Sequence, residues 1–303
     1  MALVSVIIPV YNRPDQLKTA IQSVLTQEFQ DFEIIVVDDG SIKPVLPILG
    51  GLKHIRIIRH EVNKGAASAR NTGTRNARGD LIAFLDSDDY WLPEKLDIQV
   101  DYLNNHPEIG AVTTGYYYIT GEGKSIEIPA KQRDWYRYFC KGMSLSPGTT
   151  LMVRKKLMLG CLFDEDLPRL EDIDWALRFS KENRFSVIQK PVAVVTQGWH
   201  TSAAAVEKAT LRLIEKHSRA FLELGWFYGR QCIGKRYLEV AIYFFKEGER
   251  KKGIRYLKRA LIENPFQPLG MYFRISDYLI GTSFVKTIKK VRQKIFWKNI
   301  HFE

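Results

Sequence analysis

Three continuous apolar runs constrain this chain most: VSVIIPV at residues 4–10, FEIIVV at 32–37 and LIAFL at 81–85. None alternates apolar with polar residues as a strand with one wet face does, so each is expected to lie in a sheet covered on both sides. Segments of helical spacing separate them. PDQLKTAIQSVLTQ opens on Pro14 and repeats apolar residues at Leu17, Ile21, Val24 and Leu25, a helix entered through a proline in its first turn. HIRIIRH reads as a short strand, GAASARNTGTRNA as a helix of small residues, and PEKLDIQVDYLNN as a helix opened by Pro93. This β-α-β-α order predicts an α/β fold, a mostly parallel sheet flanked by helices.

In such sheets ligands bind beyond the carboxyl ends of the strands. Both acidic clusters fall there: Asp38–Asp39 after FEIIVV, and Asp86, Asp88 and Asp89 after LIAFL. Like charges packed this closely repel, and each is costly to desolvate. A divalent cation would neutralise them. Carboxylate oxygens suit Mg2+ or Mn2+, which commonly bridge one or two carboxylates to a substrate phosphate. Capping of turns and helices is the other use of such aspartates, and Asp89, shortly before Pro93, suits it.

Charge divides the chain in two. Its 303 residues carry a net +11. Residues 1–203 hold 24 Lys and Arg against 25 Asp and Glu, whereas residues 204–303 hold 21 against 9. The expected organisation is a domain over 1–203 followed by a basic α-helical region over 204–303. No apolar run approaches the roughly 20 residues of a membrane-spanning helix. MALVSVIIPVYN lacks a basic leader and is interrupted by Pro9, so it reads as a strand rather than a signal peptide. Cys140, Cys161 and Cys232 are widely spaced, which predicts packing residues in a reducing cytosol.

Six stretches, in order, carry a resemblance: VSVIIPVYNR, QEFQDFEIIVVDDGS, NKGAASARNTGTRNARGDLIAFLDSDD, PGTTLMVRK, FDEDL and LEDIDWALR. Together they make the first 200 residues similar to the inverting family 2 glycosyltransferases, which have the A-type nucleotide-sugar-binding fold. The resemblance implies a donor pocket built from Pro9, Tyr11, Asp39, Arg70 and Asp86, with Asp39 accepting the imide N–H of a uracil. It places the Mn2+ or Mg2+ ion on Asp88, with His200 in QGWHTS as a further ligand. It makes Asp172, the second residue of the Glu-Asp pair, the base that deprotonates an acceptor hydroxyl. Glu171, Trp175 and Trp135 are candidate acceptor contacts. Residue chemistry leaves other uses open: Asp39 suits a cap on the Gly40–Ser41 turn, Arg70 a solvated helix face, Asp174 a partner for Arg178, and Trp175 core packing.

The basic region has its own signature. LEVAIYFFKEGERKKGIRYLKRALIENP resembles one tetratricopeptide-like helical hairpin. SFVKTIKKVRQKIFWKNI sets Phe284, Ile288, Val291 and Ile295 at helical spacing, with six Lys and Arg and no acid over 284–300. A basic amphipathic helix of this kind suits an anionic membrane surface, or docking on its own protein or a second subunit. The implied enzyme works in the cytoplasm, peripherally at the inner face of the membrane. It would move a sugar from a nucleotide-sugar donor, a UDP-sugar by Asp39, to a glycan or lipid-linked acceptor in surface-polysaccharide synthesis. The other class is an inactive transferase-like binder of polyanions or anionic membrane. Retention of Asp39, Asp86, Asp88 and Asp172 favours the enzyme, and no nucleic-acid-binding motif is present.

Overall fold

The computed structural model describes residues 4–45, 55–121, 123–141, 147–196 and 202–265. The chain divides into two compact units, Met1–His200 and Thr201–Glu303.

The first unit is built on one sheet. In chain order its elements are β1 (Val4–Val10), α1 (Pro14–Leu25), β2 (Phe32–Asp38), β3 (Ile55–Arg59), α2 (Ala66–Asn76), β4 (Leu81–Phe84), β5 (Tyr90–Trp91) and α3 (Lys95–Asn105). They continue with β6 (Ala111–Thr120), β7 (Gly123–Glu127), α4 (Trp135–Cys140), α5 (Pro147–Thr150), β8 (Met152–Arg154), α6 (Lys155–Gly160), α7 (Glu171–Glu182) and β9 (Phe185–Thr196). The strand order is β3-β2-β1-β4-β8-β6-β9-β5, with β7 paired to β6. The half from β3 to β4 is wholly parallel. Beyond β4 the sheet is mixed: β8 runs antiparallel to β4 and β6, β6 and β9 are parallel, and β5 and β7 are antiparallel edges.

The apolar runs explain the parallel half. All seven residues of β1 are buried, as a central strand covered on both faces requires. On one face α1 contributes Leu17, Ala20, Ile21 and Val24 to the core. Each such aliphatic side chain larger than Ala contributes about 1.5–3 kcal/mol on burial. On the other face α2 lies against β1 at Gly73, where a Cβ would collide with the Ile7 side chain. Further along, Gln99 of α3 donates through Nε2 to the carbonyls of Val112 (3.4 Å) and Thr150 (2.9 Å). It also accepts from the fully buried Lys95, whose ammonium burial pushes well below its usual pKa.

The second unit is helical: α8 (Ala203–Glu223), α9 (Trp226–Lys246) and α10 (Arg250–Glu263). Ser202 caps α8 by accepting the Ala205 N–H. α9 and α10 form the expected hairpin. Its turn carries Gly248 at φ 79°, a left-handed backbone that glycine adopts without strain. Tyr256 donates to Glu207, and Glu247 accepts the Ala203 N–H at 2.7 Å, so both later helices are tied to α8.

Candidate active site

β1, β2 and β4 run in the same direction, with Val10 level with Asp38 and Ile7 level with Phe84. Their carboxyl ends therefore open on one edge. A cleft of about 360 Å³ lies there. Pro9, Tyr11, Asp39, Arg70, Asp86 and Asp88 all line it, together with Arg13 and Gly65. Every donor-side residue expected from the sequence is thus brought to one place, along with the expected metal ligand Asp88.

At the end of β2 the two carboxylates divide the work. Asp38 is buried and accepts the Ser41 N–H at 2.9 Å, the Val45 N–H at 3.4 Å and the Arg59 guanidinium at 2.5 Å. The Gly40–Ser41 turn is therefore held by Asp38, not by Asp39. Asp39 reaches the next loop instead. Its Oδ1 accepts from His60 Nδ1 (2.7 Å) and the Lys64 N–H (2.9 Å), and its Oδ2 from the Gly65 N–H (2.7 Å). Gly65 sits at φ 92°, a conformation that L side chains rarely adopt, immediately before α2. The Oδ2 atom carries one bond and retains a lone pair for a further donor. His60 is itself fixed through Nε2 by Thr72 at 2.9 Å.

At the end of β4 the geometry is set by a turn. The strand stops at Phe84, and the Asp89 N–H donates to the Asp86 carbonyl at 3.0 Å. This turn places both Asp86 and Asp88 on the cleft. Arg70 is almost fully buried and donates to Asp86 at 2.6 Å and to Glu171 at 2.8 Å. Burial opposes its charge, but the two carboxylates outweigh that and hold the guanidinium above its usual pKa. Its buried Nε makes no hydrogen bond. Arg13, arriving from just before α1, meets Asp88 at 2.5 Å. Burial, followed by repulsion from Asp86, still raises the Asp88 pKa.

Asp89 is not the cap of α3: Glu94 before the helix makes no side-chain cap bond, and the Leu96 N–H of the first turn goes to Gln27 Oε1 at 2.9 Å. Asp89 points into the sheet, accepting the Thr149 hydroxyl and the Thr196 N–H at 2.9 Å. Burial and then the Asp86 charge push its pKa up to about 8. Thr149 also accepts the Asp86 N–H at 3.3 Å and so joins both ends of the acidic turn. Its neighbour Gly148 has no room for a side chain. A Cβ there would lie 2.7 Å from Arg70 Nη2 and closer still to Asp86 Oδ2.

α7 supplies the remaining carboxylates. Leu170, immediately before it, is left-handed at φ 63°, which costs a non-glycine residue about 1–2 kcal/mol. The helix then opens on Glu171, Asp172, Ile173 and Asp174. Glu171, expected as an acceptor contact, is in fact the second carboxylate on Arg70. Burial raises its pKa more than Arg70 lowers it, and Asp172 adds to the rise. Asp172 is half-buried, does not line the cleft, and accepts the Ile173 N–H at 2.8 Å. Asp174 is the partner of Arg178 at 2.8 Å.

The two tryptophans expected near an acceptor differ in setting, and Trp175 takes the core-packing role that its chemistry left open. Trp175 is fully buried, stacks on Phe179 at 4.7 Å and donates its indole N–H to the Cys161 carbonyl. Trp135 is 8% exposed and packs against Phe139 and Phe185. Trp175 therefore has no face to offer a sugar, whereas the edge of Trp135 borders a separate cleft with Arg133, Asp134 and Tyr136. His200 lies outside the described residues. Among the described residues no three His, Cys, Asp or Glu side chains converge as a metal site. Arg13, His60, Gly148 and Thr149 were not singled out as site residues. The strings PVYNR and PGTT contain three of them, but their reach across the fold is visible only in three dimensions.

Residues 5–158 match the sequence profile described as "Glycosyl transferase family 2". An uncharacterized glycosyltransferase of Haemophilus influenzae is 30% identical over 221 residues, covering 69% of this chain and 72% of that protein. WfgD of Escherichia coli, a UDP-Glc:alpha-D-GlcNAc-diphosphoundecaprenol beta-1,3-glucosyltransferase, is 32% identical over 190 residues, 61% of this chain and 73% of WfgD. Some relatives are much longer: the matched segment spans 21%, 32% and 29% of three Rickettsia glycosyltransferases. Among solved structures, Staphylococcus aureus TarS 1–349 in complex with UDP superposes with a TM-score of 0.63 at 22% identity, over 96% of this chain and 91% of that one. The mixed sheet flanked by helices is accordingly an A-type glycosyltransferase fold. A profile match over half of the chain, joined to relatives aligned along most of their length, leads to one conclusion: the chain belongs to glycosyltransferase family 2.

Proposed function

We propose that the chain is an inverting glycosyltransferase that moves a sugar from a UDP-sugar to a hydroxyl of a lipid-linked glycan at the inner face of a membrane. The observation that carries this reading is the convergence of Pro9, Tyr11, Asp39, Arg70, Asp86 and Asp88 on one cleft. The free lone pair of Asp39 Oδ2 suits the imide N–H of uracil, which cytosine lacks. Arg13 and Arg70 offer positive charge to a diphosphate. WfaP and WfgD of E. coli, both named for UDP-Glc and a diphosphoundecaprenol acceptor, support the donor and acceptor classes.

The donor set fits a divalent cation. Asp86 and Asp88 provide hard carboxylate oxygens whose mutual repulsion a cation would relieve, and two protein carboxylates are what Mg2+ or Mn2+ commonly takes beside phosphate oxygens. Asp88 would hold the ion, with Asp86 on the nucleotide side. When bound, the ion supplies charge neutralisation to the departing diphosphate. Asp172 accepts the proton of the acceptor hydroxyl as its oxygen bonds to the anomeric carbon. The carbon–oxygen bond to the diphosphate breaks on the opposite face, and the nucleoside diphosphate leaves with the electron pair. Arg70 fixes Glu171, the residue next to Asp172, at 2.8 Å and so ties the base's helix to the donor cleft.

Asp172→Asn tests the scheme. UDP-sugar binding by calorimetry stays within about twofold, while transfer falls by on the order of a thousandfold, the usual scale for a lost general base. Collapse of donor affinity with the same substitution would make Asp172 a binding residue and place the base elsewhere.

A further inference from the structure

The second unit exposes a surface that the transfer chemistry does not use. Trp226 is 66% exposed, Phe227 52% and Ile262 68%. Large apolar side chains this open usually mark an interaction site when they cluster. One residue joins Trp226 to Ile262, and Phe227 follows Trp226 in the chain. Arg230 of α9 donates to the Ile262 carbonyl at 2.6 Å, pairs with Glu263 at 3.1 Å and lies 5.0 Å from the Trp226 ring centroid. It fastens the start of α9 to the end of α10, so that Trp226 and Ile262 share a corner.

From this corner a mixed face runs back along α10. Gly253, Tyr256 and Ala260 are the buried residues of that helix. On the opposite side, Ile254 and Leu261 are exposed at 41% and 38%, interleaved with exposed Lys251, Arg255 and Lys258. All five fall on one stripe at helical spacing. Residues 250–262 contain no acid. Apolar side chains alternating with long cationic ones, with a Trp and a Phe at the rim, form the surface of a helix lying in a lipid–water interface. No helix among the described residues is long and apolar enough to cross a membrane.

We propose that the corner formed by Trp226, Phe227 and the exposed face of α10 docks on an anionic lipid bilayer. The inference deepens the membrane-side reading above by naming the surface. Charge decides between occupants. Residues 266–303 follow α10 in the sequence, but they carry seven Lys and Arg against two acids. A second copy would present the same basic face. Like-signed segments repel, whereas each cation gains attraction from anionic headgroups.

The test is co-sedimentation of the full chain with vesicles of phosphatidylcholine, alone or mixed with phosphatidylglycerol. Wild type binds the mixed vesicles and not the neutral ones. Joint replacement of Lys251, Arg255 and Lys258 by Gln weakens partitioning by on the order of a hundredfold. Trp226→Ser with Phe227→Ser weakens it by about tenfold. A tail variant with Lys286, Lys289, Lys290 and Lys294 changed to Gln retains more binding than either. Unchanged thermal stabilisation by UDP-sugar confirms that each variant is folded and keeps the transferase reading separate. Corner variants that bind like wild type, or a tail variant that alone loses binding, would overturn the proposal. So would loss in the cationic variant with none in the aromatic one, which would reduce the face to a nonspecific polyanion site. A drop in sedimenting mass on aromatic replacement without lipid would make the corner a contact between copies and equally overturn it.

Discussion

The carboxyl ends of β2 and β4 both carry acids, but they are neutralised in opposite ways. At β2 the donors come mainly from adjacent loops: backbone N–H groups of Ser41, Lys64 and Gly65, with His60 and Arg59 close behind. At β4 the counter-charges arrive on long side chains from elsewhere, Arg13 to Asp88 and Arg70 to Asp86. Backbone donors stay with the fold, whereas a guanidinium can be re-aimed by rotating its side chain. One end is closed around Asp38 and leaves only Asp39 facing the cleft. The other is held by charges that, under the proposed function, would also face a diphosphate.

This contrast predicts that damage at β4 shows in turnover and damage at Asp38 in stability. The largest effect is expected from Asp88→Ala, with metal-dependent transfer falling by on the order of a thousandfold while the melting temperature moves little. Chelation of wild type by EDTA should reproduce the loss, and wild-type rates in the variant would remove Asp88 from the metal. Next comes Asp38→Asn. It removes the ion-pair partner of Arg59, which keeps the Ser41 carbonyl, and turns an acceptor toward buried donors, costing about 3 kcal/mol and lowering the melting temperature by about 5–10 °C. UDP affinity measured well below that transition should change by less than about threefold; a larger change would mean that Asp38 does more than hold its turn. The smallest effect is Gly148→Ala. The added methyl separates Arg70 from Asp86 and lowers transfer by about thirtyfold, or about 2 kcal/mol of barrier. Full activity would show that this pair is dispensable.

What was legible in the sequence follows the same division. β1, β2, β4 and their helices could be read because a strand covered on both faces needs a continuous apolar run and a helix on its surface needs the 3.6-residue period. The long strands β6 and β9 were not, since polar residues interrupt both AVTTGYYYIT and FSVIQKPVAVVT. The donor-side residues were found through the order of their motifs. The pairing of Glu171 with Arg70 could not be read because the two lie 101 positions apart. Trp175 had two open uses, and burial selects core packing, because spacing alone does not tell which side of a helix will be covered. Asp89 looked like a cap from its distance to Pro93, but its donors come from Thr149 and Thr196.

The bare backbone at Gly73 has a consequence for the cleft above it. Because nothing projects there, α2 settles directly onto the Ile7 side chain of β1, and Arg70 rides on the same helix less than one turn away. A methyl at that buried seam would tilt the whole rod and slide its guanidinium off both carboxylates. The electrical balance of the mouth is thereby governed from the floor, by a greasy contact that no sugar or nucleotide ever meets.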